Sequence, residues 1–126
     1  MAATSLVIED IRRVFRNSGE FSMGRSLKKL FDFLRERTIL AFQVTLSPAS
    51  VAANTTAEQT FTVTGMAVGD VVLSVNKPTA QAGLGIVGWR TSAVNQIGIT
   101  FSNNTAGAIV PTASQVYDVV VLRSAV

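Results

Sequence analysis

The chain has 126 residues, a formal net charge of +3 and neither cysteine nor histidine. This length suits one ordinary domain with a short appendage and excludes two domains of ordinary size. The missing residue types exclude disulfides and thiolate metal sites and remove the commonest general base, so we expect a binding or building-block protein, not an enzyme, with no metal and no cofactor.

The composition is apolar for a protein that exposes its whole surface to water. Hydrophobic residues make up 48% of the chain and charged residues 15%, and the mean hydropathy is +0.37. We therefore expect a large buried contact with another chain. No run approaches the roughly 20 apolar residues of a membrane-spanning helix. Charged residues follow the first short apolar run too closely for a secretory signal peptide, so we also expect no export.

The charge divides the chain near residue 40. Residues 1–40 hold eight basic and five acidic side chains, whereas the remainder holds three of each. We predict a basic N-terminal arm over residues 1–38 and a separate domain over residues 39–126. Because acidic and basic residues are interleaved in the arm, we expect it to dock on an acidic protein surface or to mediate assembly, and to bind neither nucleic acid nor membrane.

Two short amphipathic helices are predicted in the arm. The first spans residues 6–15 and ends at the Asn-Ser-Gly of residues 17–19, and the second begins after the N-cap residue Ser26. Helices this short are marginal alone, so we expect their apolar stripes to pack on another subunit or, as an alternative, on the body of the same chain. The expected contact residues are Val7, Ile11, Val14 and Phe15 in the first helix and Leu27, Lys28, Lys29, Leu30, Phe31, Leu34, Arg35 and Arg37 in and after the second.

From residue 38 the apolar pattern takes the period of two that is typical of strands. Six strands are predicted, at residues 39–46, 59–64, 71–75, 86–93, 97–101 and 115–123, with a loop or irregular edge at 47–57. Val71, Leu73 and Val75 are expected on one face of the third strand. The β-branched sixth strand is expected at the centre of a sheet, covered on both faces. The pattern predicts a mainly β fold, a small antiparallel β-sandwich or jelly-roll-like domain.

This domain offers little for catalysis. Glu58, Asp70 and Asp118 are its carboxylates, and each lies at a strand border, a turn or an edge position, so a pair of catalytic acids is not expected. The Gly-Leu-Gly of residues 83–85 precedes a strand and lacks a following Lys-Ser/Thr. We interpret it as a site of close packing and not as a phosphate loop.

Trp89 and Arg90 allow two interpretations. Both residue types are enriched at interface hot spots, so this pair is a candidate contact with a sugar or another subunit. The alternative is that Trp89 fills the core.

Residues 47–113 resemble a module that recurs in small structural proteins of tailed bacteriophages. The motifs that carry the resemblance are QTFTV at 59–63, GDVV at 69–72, NKP at 76–78, GLG at 83–85, ITF at 99–101 and PTA at 111–113, together with Asn103 and Thr105. The match covers about half the chain and leaves the arm outside it. It implies a virion protein, either a head decoration (cement) protein or a head or tail fibre component.

The function that we expect on this basis is capsid decoration. The protein would bind the major capsid protein on the outer head surface as a homotrimer, after assembly in the cytoplasm of the host bacterium. The first alternative is a tail or fibre component that binds a host receptor through Trp89 and the loops at 79–85 and 102–113. A cell-wall hydrolase that uses the three carboxylates is the last alternative.

Overall fold

A computed structural model describes residues 27–32 and 37–124. Residues 27–32 are α-helical, and six strands follow: β1 (Arg37–Leu46), β2 (Thr55–Thr62), β3 (Val71–Asn76), β4 (Leu84–Ala93), β5 (Gln96–Asn103) and β6 (Gln115–Ser124). By its contacts the chain divides into two units, Met1–Arg37 and Thr38–Val126. The predictions of a mainly β fold and of six strands are confirmed for the described residues.

The strands form two antiparallel sheets of three strands each. The first sheet has the order β1-β6-β3 and the second sheet has the order β2-β5-β4. The chain crosses from one sheet to the other after β1, β2, β3 and β5, so only β4 and β5 are joined as a hairpin. The sixth strand does lie at the centre of its sheet, as its β-branched sequence predicts.

The inner faces of both sheets pack against one core. A fully buried large apolar side chain stabilises the folded state by about 1.5–3 kcal/mol. The shared core therefore fixes which residues of each strand face outwards. Its fully buried members in the two central strands are Ile97, Ile99 and Phe101 of β5 and Tyr117, Val119 and Val121 of β6, and β1 adds Leu40, Phe42, Val44 and Leu46.

The second strand begins earlier than its sequence predicts. β2 starts at Thr55, inside the segment expected to be a loop, because residues 55–58 pair with residues 100–103 of β5. The first half of β2 is therefore held by main-chain pairing with a neighbour, while its own side chains are mostly small and polar. A period-two search for apolar residues does not detect such a strand.

The predicted face of β3 is wrong. The register with β6 shifts after Val72, which together with Val75 packs against the core. Val71 and Leu73 instead lie outside, 56% and 47% exposed. A bulge of this kind adds one residue to one strand and reverses the alternation beyond it, so Val71, Leu73 and Val75 do not share a face.

The sequence predicts a two-residue turn at Asn95-Gln96 between the fourth and fifth strands, and the observed turn lies one residue earlier. β4 ends at Ala93 and β5 begins at Gln96, so the two turn residues are Val94 and Asn95. Asn95 has a φ of 56°, a left-handed conformation that Asn tolerates better than most residues. Its Oδ1 accepts a hydrogen bond from the Gly65 amide at 2.8 Å.

The predicted arm is described only in part. Residues 27–32 are helical, with Lys28, Lys29 and Leu30 exposed and with Leu27 and Phe31 half-buried. The first predicted helix, with its four apolar contact residues, lies outside the described residues, as do Leu34 and Arg35. No helix within residues 27–32 and 37–124 has the length and apolarity that crossing a bilayer requires.

Candidate functional site

The outer face of the first sheet is apolar over half of its length. Residues that alternate with the core positions place Ile39 and Ala41 of β1 on the same outer surface as Val120 and Leu122 of β6. Val71 pairs directly with Leu122, which extends this surface across β3. We call this surface the apolar patch; it consists of Ile39, Ala41, Val71, Leu73, Val120 and Leu122.

The apolar patch is open to solvent and contains no charged residue. Ile39 is 69% exposed, while the central strand residues Val120 and Leu122 are half-buried between their neighbours. Arg37 lies at the start of β1, one position along the outer face from Ile39. The sequence predicts that β6 is covered on both faces. In the described residues its core side is covered, whereas its outer side is apolar and partly open.

The other half of this outer face is mostly polar, with Val116 of β6 as an exposed apolar residue. Asp118 accepts a hydrogen bond from Gln43 Nε2 at 3.1 Å and pairs across the sheet with Asn76. These side chains present amide and carboxylate groups to solvent, and such polar groups need no contact with a partner protein. The boundary between the two halves runs across all three strands of the sheet.

The outer face of the second sheet has a different chemistry. Glu58 of β2 and Arg90 of β4 reach across β5 and form a two-point ion pair, with both N–O distances 2.8 Å. The strand between them carries Gly98, where an added Cβ would lie 2.7 Å from a Glu58 carboxylate oxygen. The side-chain hydrogen bond from Arg90 lowers the pKa of Glu58. The rest of this face is mostly Thr, Ser and Gln, as in the bond from Thr56 to Ser102 at 3.2 Å.

Trp89 joins the two sheets where β3 and β4 lie side by side. Its partner in the register is Ile99, so it points to the inner side of the second sheet at the edge strand. Its indole Nε1 donates a 3.0 Å hydrogen bond to the Val72 carbonyl, and the next inward residue, Thr91, donates to the Asp70 carbonyl at 2.9 Å. The indole is still 37% exposed, so its proposed role in an interface stays a prediction.

An ion pair with a buried carboxylate and a partly exposed arginine lies at the same end of the first sheet. Arg123 donates to both carboxylate oxygens of Asp70, at 2.8 and 2.7 Å. It also donates to the Gly65 carbonyl at 2.7 Å. The Asp70 side chain is 1% exposed, and the hydrogen bond from Arg123 lowers its pKa, helped by the Ala67 amide. This pair ties the end of β6 to the connection between β2 and β3.

The loops at the opposite end are linked to one another. The Gln81 side chain donates to the Val110 carbonyl at 3.0 Å and accepts from the Thr112 amide at 2.8 Å. Gly83 has a φ of +80°, and a Cβ there would collide with the Thr105 side chain. The interpretation of the Gly-Leu-Gly segment as close packing is thus confirmed at Gly83 but not at Gly85, where an added Cβ would meet nothing within 4 Å.

A cavity of about 280 Å³ opens between β3 and β4 beside these loops. Its lining is mixed, with apolar side chains beside polar ones, and includes Lys77, where partial burial lowers the pKa of the amine. The amine donates to the main-chain and side-chain oxygens of Thr79. The lining residues include Val75, Lys77, Thr79, Gln81, Ile86 and Phe101.

The three carboxylates of the domain do not meet. Glu58 lies on the outer face of the second sheet, Asp70 is buried at the end of the first sheet, and Asp118 lies on the outer face of the first sheet. Within the described residues no group of three potential metal-binding side chains occurs. The expectation that the chain is not an enzyme stays a prediction.

Sequence reasoning singled out Trp89 and Arg90, whose role in an interface stays a prediction, and it missed the apolar patch. A signal for the patch was present, because β6 is apolar at consecutive positions from Val119 to Leu122 and a single core can cover only one of its faces. The bulge that turns Val71 outwards left no such signal. Comparison with protein-family models, with curated proteins and with solved structures finds no match to this chain.

Proposed function

We propose that this chain is a structural protein of a tailed-bacteriophage virion. It acts as a decoration (cement) protein that binds and stabilises the outer surface of the head as a symmetric oligomer, with three copies as the expected number. The two sheets form a small β-sandwich, and the N-terminal arm is its anchor. The resemblance of residues 47–113 to phage structural modules supports the virion assignment.

The observation that carries the proposal is the apolar patch. Exposed contiguous apolar surface on a well-packed unit is typical of a protein that works in an assembly. A patch of this kind gives no chemistry for turnover, since it lacks charged and nucleophilic groups. The free energy of the protein is lower when another protein covers this surface.

The arm supplies the contact with the major capsid protein. Its described helix exposes the basic residues Lys28 and Lys29 beside the apolar Leu30. Mixed basic and apolar character suits an acidic protein surface with apolar depressions better than it suits nucleic acid, which is neutralised mainly by dense basic patches. Removing residues 1–38 should leave a folded β unit that no longer binds heads, whereas binding at the wild-type level would contradict the role of the arm.

The first test of this function is the copy number of the chain in intact virions. Heads and tails are separated on a gradient, and the chain is quantified by mass spectrometry against the major capsid protein. A copy number comparable to that of the capsid protein, in the head fraction, is the expected result. A few copies in the tail fraction would reject decoration.

A tail or fibre component that binds a host receptor is the second candidate. The observation that favours it is the junction of two loops through Gln81, because linked loops at one end of a β scaffold form a pre-organised binding surface. Binding of the purified protein to host cells would support this candidate. Substitution Gln81→Ala should then weaken that binding without unfolding the core.

A further inference from the structure

We propose that the apolar patch is the contact between copies of this chain, and that three patches face a common threefold axis and form one apolar core. This inference rests on the proposed oligomeric function and assigns its self-association to particular residues. It places β6 nearest the axis, with β1 of one copy beside β3 of the next.

The chemistry of the patch suits contact with identical patches. All six of its residues are apolar, and Ser74, which pairs with Val120 on the same face, is polar but uncharged, so copies can meet without placing like charges together or burying an unpaired charge. The outer face of the second sheet cannot meet itself in this way, because the ion pair between Glu58 and Arg90 would have to lose water over β5. Of the two outer faces, the first sheet is therefore the one suited to self-association.

The width of the first sheet fits a threefold arrangement. Neighbouring strands lie about 4.8 Å apart and packed sheets about 10 Å apart, so a three-stranded sheet is about 14 Å wide and lies about 5 Å from the surface it shares with a neighbour. Three such sheets around an axis enclose a triangular core whose sides are about 17 Å long, by the same spacings. A three-stranded sheet, about 14 Å wide, therefore nearly fills each side of that triangle, which is about 17 Å long.

The outer face is small for an interface, and its area is the same whether a copy meets one neighbour or two, so the width of the sheet and not its area favours the ring. β1 has 10 residues, and at about 3.4 Å per residue and about 14 Å of width the whole outer face covers about 480 Å². A stable pairwise interface commonly buries about 800 Å² on each partner. In a closed ring each copy contacts two neighbours, and the three apolar patches share one core.

Paired cysteines can test this arrangement because the natural chain contains no cysteine. Val71 on β3 pairs with Leu122 of the central strand, and β1 lies on the other side of that strand. Gln43 donates to Asp118, so in this antiparallel sheet Ile39, four residues before Gln43, is placed beside Leu122, four residues after Asp118. Two strand spacings, about 10 Å, separate Ile39 and Val71 within a copy, which is too far for an internal disulfide. In the proposed ring, Ile39 of one copy lies beside Val71 of the next.

The full-length double variant I39C/V71C is oxidised and run on a denaturing gel without reductant. The expected result is a ladder that ends at a covalent trimer and disappears on reduction. The matched control is T56C/G85C, which places two cysteines across Ser102 on the outer face of the second sheet. This control should remain monomeric. A ladder that ends at a dimer, or equal cross-linking of the control, would overturn the proposal.

A charge at the centre of the patch gives a second measurement. V120K should convert the full-length oligomer into monomers in analytical ultracentrifugation while circular dichroism still shows folded β structure, and T100K on the opposite outer face should stay oligomeric. If V120K does not fold, the milder variant V120S is measured in its place, and we expect it to form a weaker oligomer than the wild type. An oligomer of wild-type strength in the folded variant would reject this contact. Because these results concern the isolated protein, they can support the patch even if virion counts place the chain in tails.

Discussion

The two sheets have equal strand numbers and share one core, yet their outer faces differ. The second sheet covers its outer face mostly with Thr, Ser, Gln and an ion pair, and its exposed apolar residue is Val87 at the bulge of β4. The first sheet has apolar residues at consecutive positions of its central strand, so it has more apolar surface than its own core can bury. In this molecule, a central strand that is apolar on both sides identifies the sheet whose outer face is partly apolar.

The largest expected difference between the two sheets is in how much their ion pairs contribute to the free energy of unfolding. Asp70→Asn removes the buried carboxylate to which Arg123 donates, and hydrogen bonds to charged groups contribute about 1.5–3 kcal/mol. We expect a loss of about 2–3 kcal/mol in the free energy of unfolding, measured by urea denaturation. Glu58→Gln on the second sheet should change it little, because that pair is exposed. Equal losses for the two variants would contradict this assignment.

The same carboxylate predicts how stability depends on pH. The pKa of Asp70 is lowered from its ordinary value of 3.8 by the hydrogen bond from Arg123. Since the folded state favours the ionised form, its contribution is fully present above pH 3.8 and is lost as the pH falls through the lower folded value. The stability difference between the wild type and Asp70→Asn should therefore shrink below pH 3.8 and stay constant near neutrality.

Trp89 tests how the two sheets are joined at the edge between β3 and β4. Trp89→Phe keeps the apolar ring but removes the hydrogen bond to the Val72 carbonyl, so we expect a loss of about 1 kcal/mol in unfolding free energy. If the indole is an interface contact instead, head binding should fall while stability holds. The neighbouring variant Arg90→Gln is the control, since its side chain points to the opposite face. Measuring thermal unfolding and head binding on both variants separates the two roles.

The apolar periodicity of the sequence predicts where most of the strands lie, but it does not predict which side chains form their outer surfaces. The central position of β6 followed from its run of β-branched residues, and the tight packing of Gly83 followed from its setting among small residues. The start of β2 did not follow, because residues 55–58 are held by pairing with β5 and not by apolar side chains of their own. The outward turn of Val71 depends on a bulge at Leu73, and no residue type there requires one.

The inner face of the first sheet contains one apparent mismatch, at Tyr117. Its side chain is fully buried, and its hydroxyl has no hydrogen-bond partner among the described residues. Burial also raises the pKa of this hydroxyl. Tyr117→Phe removes an unsatisfied polar atom with little change in shape, so we expect unfolding free energy to rise by up to about 1 kcal/mol. A fall of similar size would mean that the hydroxyl has a partner in solution.

The smallest expected effect concerns Gly98 on the outer face of the second sheet. Gly98→Ala relieves the entropic cost of glycine in a strand, about 0.5–1 kcal/mol, but displaces the Glu58 carboxylate from its position over β5. We expect these effects nearly to cancel in thermal unfolding. In a Glu58→Ala background the carboxylate is absent, so adding Gly98→Ala should raise the unfolding free energy by about 0.5–1 kcal/mol. If the double variant has the same unfolding free energy as Glu58→Ala, the Glu58 carboxylate is not what disfavours a side chain at position 98. The backbone of β5 would then require the glycine for a reason other than the ion pair.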